Sequence, residues 1–252
     1  MMKRMMPAAV LLAVSVFYSL PAEAIVHVEG RYWFTSLDSK VQVTEPGLTG
    51  TQIDLVDTLG VDDKKNFWEA RVDLNLGSHH LRYAYMPLSW DGSKTITQSI
   101  NFAGQPYSAN AKVDSSLDIL YQRLGYRYDI IDTLGNKLGI IIDVKVLDIE
   151  ARLKSSSPTP LDKSYSVTAP VPTIGLGAQI GLPFLFTVGA EVTGIAYSGN
   201  HLIDGEAAIN FNPIPFITIS GGYRIFDLKV EDGDDKVDFS LKGPFLMVNA
   251  GF

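Results

Sequence analysis

Phe67-Trp68-Glu69-Ala70-Arg71-Val72-Asp73-Leu74-Asn75-Leu76 alternates strictly, with Trp68, Ala70, Val72, Leu74 and Leu76 on one parity and Glu69, Arg71, Asp73 and Asn75 on the other. A period of two is that of a β-strand, whose successive side chains point to opposite faces. One face of this strand is apolar and the other carries charge. In a water-soluble sandwich or barrel the apolar face points inward; in a membrane barrel it points to lipid. The alternation by itself leaves both open.

The pattern repeats along the chain in about ten segments. The first, Val26 to Leu37, sets Val26, Val28, Tyr32 and Phe34 against Glu29, Arg31 and Trp33. After Phe67 to Leu76 come Leu81 to Trp90, with Tyr83 and Tyr85 on the apolar parity, and Leu117 to Tyr128, with Leu120, Leu124, Tyr126 and Tyr128 opposite Tyr121, Arg123 and Arg127. Leu138 to Ala151 alternates Ile140, Ile142, Val144 and Val146 with Asp143 and Lys145. Thr173 to Leu182, Phe186 to Tyr197, Leu202 to Phe211, Phe216 to Leu228 and Asp238 to Phe252 complete the set. The polar stretch Thr95 to Ala111 reads as a hairpin extending beyond the membrane, and Ser155 to Pro170, rich in Ser, Pro and Thr, as a loop.

The N-terminus indicates export. Lys3 and Arg4 precede an apolar run to Leu20, and Ala22-Glu23-Ala24 supplies the small-x-small pattern of a signal-peptidase site. Residues 1–24 are expected to be removed, leaving one domain from 25 to 252. The net charge of −7 then becomes −8, because Lys3, Arg4 and Glu23 depart together, and a nucleic-acid partner does not suit that balance. No downstream stretch has the ~20 apolar residues of a membrane helix, so only a closed barrel would span a bilayer here. With no cysteine, the chain has no disulfide, thiolate nucleophile or Cys-based metal site.

Connection lengths set the orientation. Short links fall near 77–80, 129–137, 182–185 and 212–215, and longer ones at 38–66, 91–114, 153–170 and 230–237, with the tight turn at 198–201 as the exception. Membrane barrels have short periplasmic turns and longer external loops, so both termini are expected on the periplasmic side. Phe252, preceded at alternate positions by Ala250, Val248 and Leu246, resembles the terminal signature by which outer-membrane barrels are recognised for assembly. The whole chain after residue 24 thus resembles the small outer-membrane β-barrels of Gram-negative bacteria, an all-β, antiparallel, up-and-down closed barrel. Gln52-Ile53-Asp54-Leu55 through Leu59-Gly60-Val61-Asp62-Asp63, Glu69-Ala70-Arg71 and Arg123-Leu124-Gly125-Tyr126 are similar to stretches of an uncharacterised set of such barrels, which implies no activity.

Inward parity places Arg31, Arg71, Arg123, Lys145 and Arg224 in the lumen beside Glu69, Asp73, Asp143, Glu191 and Glu206, and Arg123 and Asp143 are expected to pair across neighbouring strands. Paired, these charges form a plug; hydrated, they line a pore. Ten strands lie near the closed end of the size range. Tyr126, Tyr128, Phe184, Phe186 and Phe211 fall at periplasmic strand ends, where an interfacial aromatic girdle is expected.

Of the histidines, His27, His79 and His80 fall at the periplasmic rim. His201 lies in an external turn near Ser198 and Asp204, a trio that polar loops produce by chance. The acidic runs Asp62-Asp63 and Glu231-Asp232-Gly233-Asp234-Asp235 lack the spacing of a calcium loop and read as solvated tips. No catalytic, cofactor or metal site is therefore expected. The expected role is structural or surface-interactive, through a charge-filled narrow lumen and long external loops; a narrow passive channel for small solutes is the rival, and an enzyme acting on lipid or peptide comes third. Expected partners are outer-membrane lipid and lipopolysaccharide, and the export and barrel-assembly machinery, with the external ligand unspecified.

Overall fold

The computed structural model describes residues 25–133, 135–157, 160–214 and 216–252; the expected signal segment, 1–24, lies outside them. The strands are β1 (Ile25–Gln42), β2 (Ile53–Asp54), β3 (Lys64–Leu76), β4 (His79–Thr95), β5 (Ile100–Phe102), β6 (Gln105–Tyr107), β7 (Lys112–Thr133), β8 (Asn136–Ser157), β9 (Leu161–Gly181), β10 (Phe186–Tyr197), β11 (Asn200–Ile214), β12 (Ile217–Asp232) and β13 (Asp235–Gly251). All but β2, β5 and β6 form one antiparallel meander, β1-β3-β4-β7-β8-β9-β10-β11-β12-β13, and β13 pairs back onto β1 from His27↔Gly251 upward. The result is a closed barrel of ten strands. The short turns at 77–78 and 182–185 lie at the same end as both termini.

The outer surface carries an apolar belt. It runs from Val26 to Phe34 on β1, from Trp68 to Leu76 on β3, from Leu138 to Val146 on β8, and from Pro244 to Phe252 on β13. Each run matches the ~9–11 residues with which a tilted strand crosses a bilayer. Val28, Trp68, Ile142, Ile174, Ile209, Tyr223 and Leu246 are all more than 40 % exposed there, an arrangement that only lipid makes favourable.

Above the belt the polarity inverts. The outward residues become Asp38 and Lys40 on β1, Lys64 and Asn66 on β3, Asp148, Glu150 and Arg152 on β8, and Asp227 and Lys229 on β12. The inward residues become Leu37, Leu147, Leu153, Phe226, Leu228, Phe239 and Leu241, all buried in one apolar core. β7 and β8, each 22 residues long, therefore have about half their length outside the bilayer, as the wall of a water-facing head.

The head corrects three expectations. Within Ser155 to Pro170, 155–157 belong to β8 and 161–170 to β9: the two strands stay in register from Val146↔Pro170 up to Ser155↔Leu161, because Ser, Thr and Lys suit a strand face that meets water. Thr95 to Ala111 does not project outward. Its β5–β6 hairpin folds back so that Ile96, Ile100, Phe102 and Tyr107 are buried in the core, with Ala103 N–H donating to Val43 O (3.3 Å) and Tyr107 Oη to Leu153 O (2.8 Å). The first long loop shrinks to 43–63 and also turns inward, burying Val43, Ile53, Leu55, Leu59 and Val61.

Two seams open in the head wall. β3 and β4 pair only from Leu76↔His79 to Ala70↔Tyr85, and β9 and β10 only from Gly181↔Thr187 to Ile174↔Gly194. The first seam is closed by loop 43–63, whose Val61 bridges to Gly92. Gly92 is required there, since a Cβ would stand 2.7 Å from Leu59 O. The second seam lies above the β10–β11 turn, the tight external turn that broke the rule of alternating lengths.

Candidate functional site

The interior has two storeys. The lower one, within the belt, is an ion-pair network. Arg31 reaches Glu206 at 2.7 Å, Arg71 reaches Glu206 at 2.9 Å and Glu69 at 3.0 Å, and Arg224 reaches Glu69 at 3.0 Å. Arg123 bonds Asp143 at 2.7 Å and Glu191 at 2.6 Å, while Lys145 bonds Asp143, Thr173 and Thr193 at 2.7–2.8 Å. Thr173 also donates to Asp143. Asp73 pairs with Arg82 at 2.7 Å. The residues singled out for the lumen are thus brought together, and the Arg123–Asp143 contact is made diagonally, since Gly125 is the residue directly opposite Asp143.

Three further members belong to the network. Glu29 lies 3.4 Å from Arg31, Arg82 bridges Asp73 and Glu191, and Asp204 takes both Nε and Nη2 of Arg224 at 2.9 Å. Glu29 and Arg82 carry the inward parity that would have found them. Asp204, weighed only as a sequence neighbour of His201, is buried in the lumen, because alternation along β11 carries Leu202 and Asp204 inside. His201 bonds Asp227 at 2.7 Å, so the trio of Ser198, His201 and Asp204 is not assembled.

Tyr121 marks the boundary between storeys: its hydroxyl donates to Asp204 (2.9 Å), and its ring packs edge-on against Phe226. Trp33 does the same from β1, with Nε1 on Gly243 O at 3.0 Å and its ring beneath the Arg224 guanidinium. Above them the core encloses an apolar cavity of about 110 Å³ whose lining includes Trp33, Met86, Leu117, Leu147, Phe226 and Phe239. The lumen is charge-filled only in its lower storey.

At the end that carries both termini the network opens into a polar vestibule of about 360 Å³. His27 bonds Asn249 there, and His80 bonds Asn75 and Asp129. Among the expected girdle residues, Tyr126, Tyr128, Phe184 and Phe186 are exposed at this end, Phe186 stacks on Phe211 at 4.9 Å, and His79 bonds the Tyr126 hydroxyl. Leu246 and Val248 face outward, and Phe252 pairs with Val26 through both backbone bonds, sealing last strand to first. In the head, burial, with the charge of Asp162 second, pushes the Tyr107 phenol up to about 12. Asp235 in the acidic turn accepts the Thr44 amide at 2.6 Å.

No protein-family model matches the chain. No curated protein sequence matches it either. Solved structures do. The outer membrane protease OmpT from Escherichia coli superposes with a TM-score of 0.61 at 9% identity, over 93% of this chain and 98% of that one. The translocator domain of the autotransporter NalP from Neisseria meningitidis gives 0.51 at 9% identity, over 96% and 93%. At such identity the likeness establishes the fold. A closed ten-stranded meander, an apolar belt of bilayer height and this likeness together make the chain a small outer-membrane β-barrel of the Gram-negative type.

Proposed function

We propose that the protein works at the cell surface through its head and that its barrel is a closed support, without catalysis or solute passage. The observation that carries this reading is the burial of Arg224 and Lys145, both 0% exposed, between the vestibule below and the apolar core above. A water-filled passage would hydrate them. Their pairing by hydrogen-bonded carboxylates is instead what makes buried charge tolerable. The loops at 43–63 and 96–111 add a second closure by folding into the barrel mouth. Against an enzyme stands His201, the external histidine, whose imidazole is engaged by Asp227 with no nucleophile bonded to it. Planar-bilayer recording of refolded protein tests the proposal: a silent bilayer is expected, and discrete conductance steps would promote the passive channel.

A further inference from the structure

The two seams of the head wall end differently. At the first, loop 43–63 covers the opening through the bridge between Val61 and Gly92. At the second, β9 has β8 on one side from Leu161 to Thr173 and, among the described residues, no strand on the other. An uncovered strand edge presents a row of unpaired N–H and C=O groups, which is a template for another strand.

The hairpin at the lower end of β9 fixes the direction of each of these groups. Leu182 N–H donates to Phe186 O at 2.8 Å, so the even-numbered residues of β9 turn their N–H and C=O towards β10, and neither ladder of β9 contains a bulge that would change the parity. The last partners of that ladder are Ile174 and Gly194. The next even residues up the strand are Pro172 and Pro170, which have no N–H to give. Proline thus ends the pairing with β10 and blunts the edge where it is nearest the membrane. Beyond the prolines, Thr168, Ser166, Ser164 and Asp162 keep their N–H groups; all four residues are exposed and turn their backbone to the gap.

The inner face beside this edge is apolar. Tyr165 and Val167 stand on the inward parity of β9, and across the gap Ile195 and Tyr197 continue the inward parity of Thr193 on β10. Val167 is nevertheless 40%, Ile195 43% and Tyr197 81% exposed, because no strand covers them. On the outward face Ser164, Ser166 and Thr168 are uncharged. Asp162 is engaged by Arg152, which leaves Lys163 as the charge of this edge without an ion-pair partner among the described residues.

Neither a second copy nor the chain's own ends suit the gap. Copies in one membrane share its normal, so a two-fold axis along that normal runs both β9 strands in the same direction, and strands tilted by ~35–45° then cross instead of lying side by side. Ile25 and Phe252 lie at the far end of the barrel.

We infer that the β9 edge from Asp162 to Thr168 takes an extended peptide segment of a partner protein as an added antiparallel strand, in the place β10 would hold had it continued, with apolar side chains laid against Val167, Ile195 and Tyr197 and a carboxylate facing Lys163. This edge has room for about seven residues, roughly 20 Å at ~3.3 Å each. The inference rests on the reading that the head is the working part of the protein.

The experiment titrates refolded protein in nanodiscs with the fluorescein-labelled peptide Thr-Val-Thr-Val-Thr-Glu-Thr and follows anisotropy. Its valines and glutamate fall on the inner face when it pairs antiparallel with β9, and its threonine amides meet the edge. Saturable binding is expected, weakened about tenfold or more by N-methylation of the third and fifth residues, which keeps the side chains and removes two edge bonds. Ser166→Pro should weaken it similarly, since the lost N–H faces the gap and the ladder with β8 is untouched; Ser164→Pro is the second variant. Lys163→Glu should prefer the peptide with lysine in place of glutamate. The proposal is overturned by absence of saturable binding, by equal binding of the N-methylated peptide, by equal binding to both proline variants, or by equal binding to empty nanodiscs. Dimers of the protein that vanish in Ser166→Pro would make the occupant a second copy and overturn it as well. The gel shift between unheated and boiled samples checks that each variant folds. Conductance steps in a bilayer would refute the closed barrel without touching the outcome of this titration.

Discussion

Replacing Arg224 by Met tests whether the lower storey is a plug. The guanidinium holds Asp204 through two bonds of 2.9 Å and Glu69 through one of 3.0 Å, with all three side chains at most 4% exposed. Methionine keeps much of the side-chain volume and removes the charge. Glu69 retains Arg71 at 3.0 Å, but among the described residues Asp204 is left with the Tyr121 hydroxyl at 2.9 Å as its side-chain hydrogen-bond partner and with Lys145 and Arg123 acting on it from beyond ion-pair distance. An uncompensated carboxylate at such burial costs about 3–5 kcal/mol. Adding Asp204→Leu removes the orphaned charge and leaves the Tyr121 hydroxyl without its acceptor, a residual of about 1–2 kcal/mol. Urea unfolding in lipid vesicles, followed by tryptophan fluorescence, should therefore show the single variant strongly destabilised and the double variant largely restored. A single-variant loss of no more than ~1 kcal/mol, the range of a solvent-screened pair, would mean that water reaches the network and would refute the plug.

Gly92→Val should lift loop 43–63 from the β3–β4 seam, because a Cβ at this position meets Leu59 O and Ser115 Oγ within 2.8 Å; protease cleavage of that loop in intact cells should rise, and unchanged resistance would count against the closure. Tyr107→Phe removes the bond to Leu153 O and should cost about 1 kcal/mol, with ultraviolet titration of the parent protein showing one tyrosine ionising near 12. Because burial raises that phenol, any stability it contributes is lost as pH rises from about 10 towards 12. Phe252→Ala, at the pairing of last strand with first, should lower outer-membrane levels and leave protein in the periplasm; equal levels under moderate expression would remove Leu246, Val248, Ala250 and Phe252 from any assembly role.

The barrel was legible in the sequence because each strand alternates with period two in both storeys. For the same reason the inversion of polarity was not legible. On β8, Ile140, Ile142 and Val144 are outward and Asp143 and Lys145 inward; a few residues on, Asp148 and Glu150 are outward and Leu147 inward. The period is unbroken while the medium outside changes from lipid to water. Ser155 to Pro170 read as loop because its Ser, Pro and Thr are also loop residues, and the lumen read as charged throughout because the charged inward residues of the belt were carried over to the whole barrel. Asp204 was legible too, since it falls within the segment Leu202 to Phe211 on the inward parity of Glu206, but its nearness to Ser198 and His201 drew it to the external turn instead.

The inversion also limits where a ligand site can lie. In the belt the barrel interior must satisfy charges, and the vestibule below it is lined mainly by charged and amide side chains. In the head the same strands turn apolar side chains inward, and there close packing is the stable outcome. A dry void of 110 Å³ in such a core costs about 2–3 kcal/mol at ~24 cal/mol per Å³. Lengthening a single lining residue, Ala151, would remove much of that cost. A core that keeps the void beside an unsealed seam is therefore less than fully packed along its β9 edge.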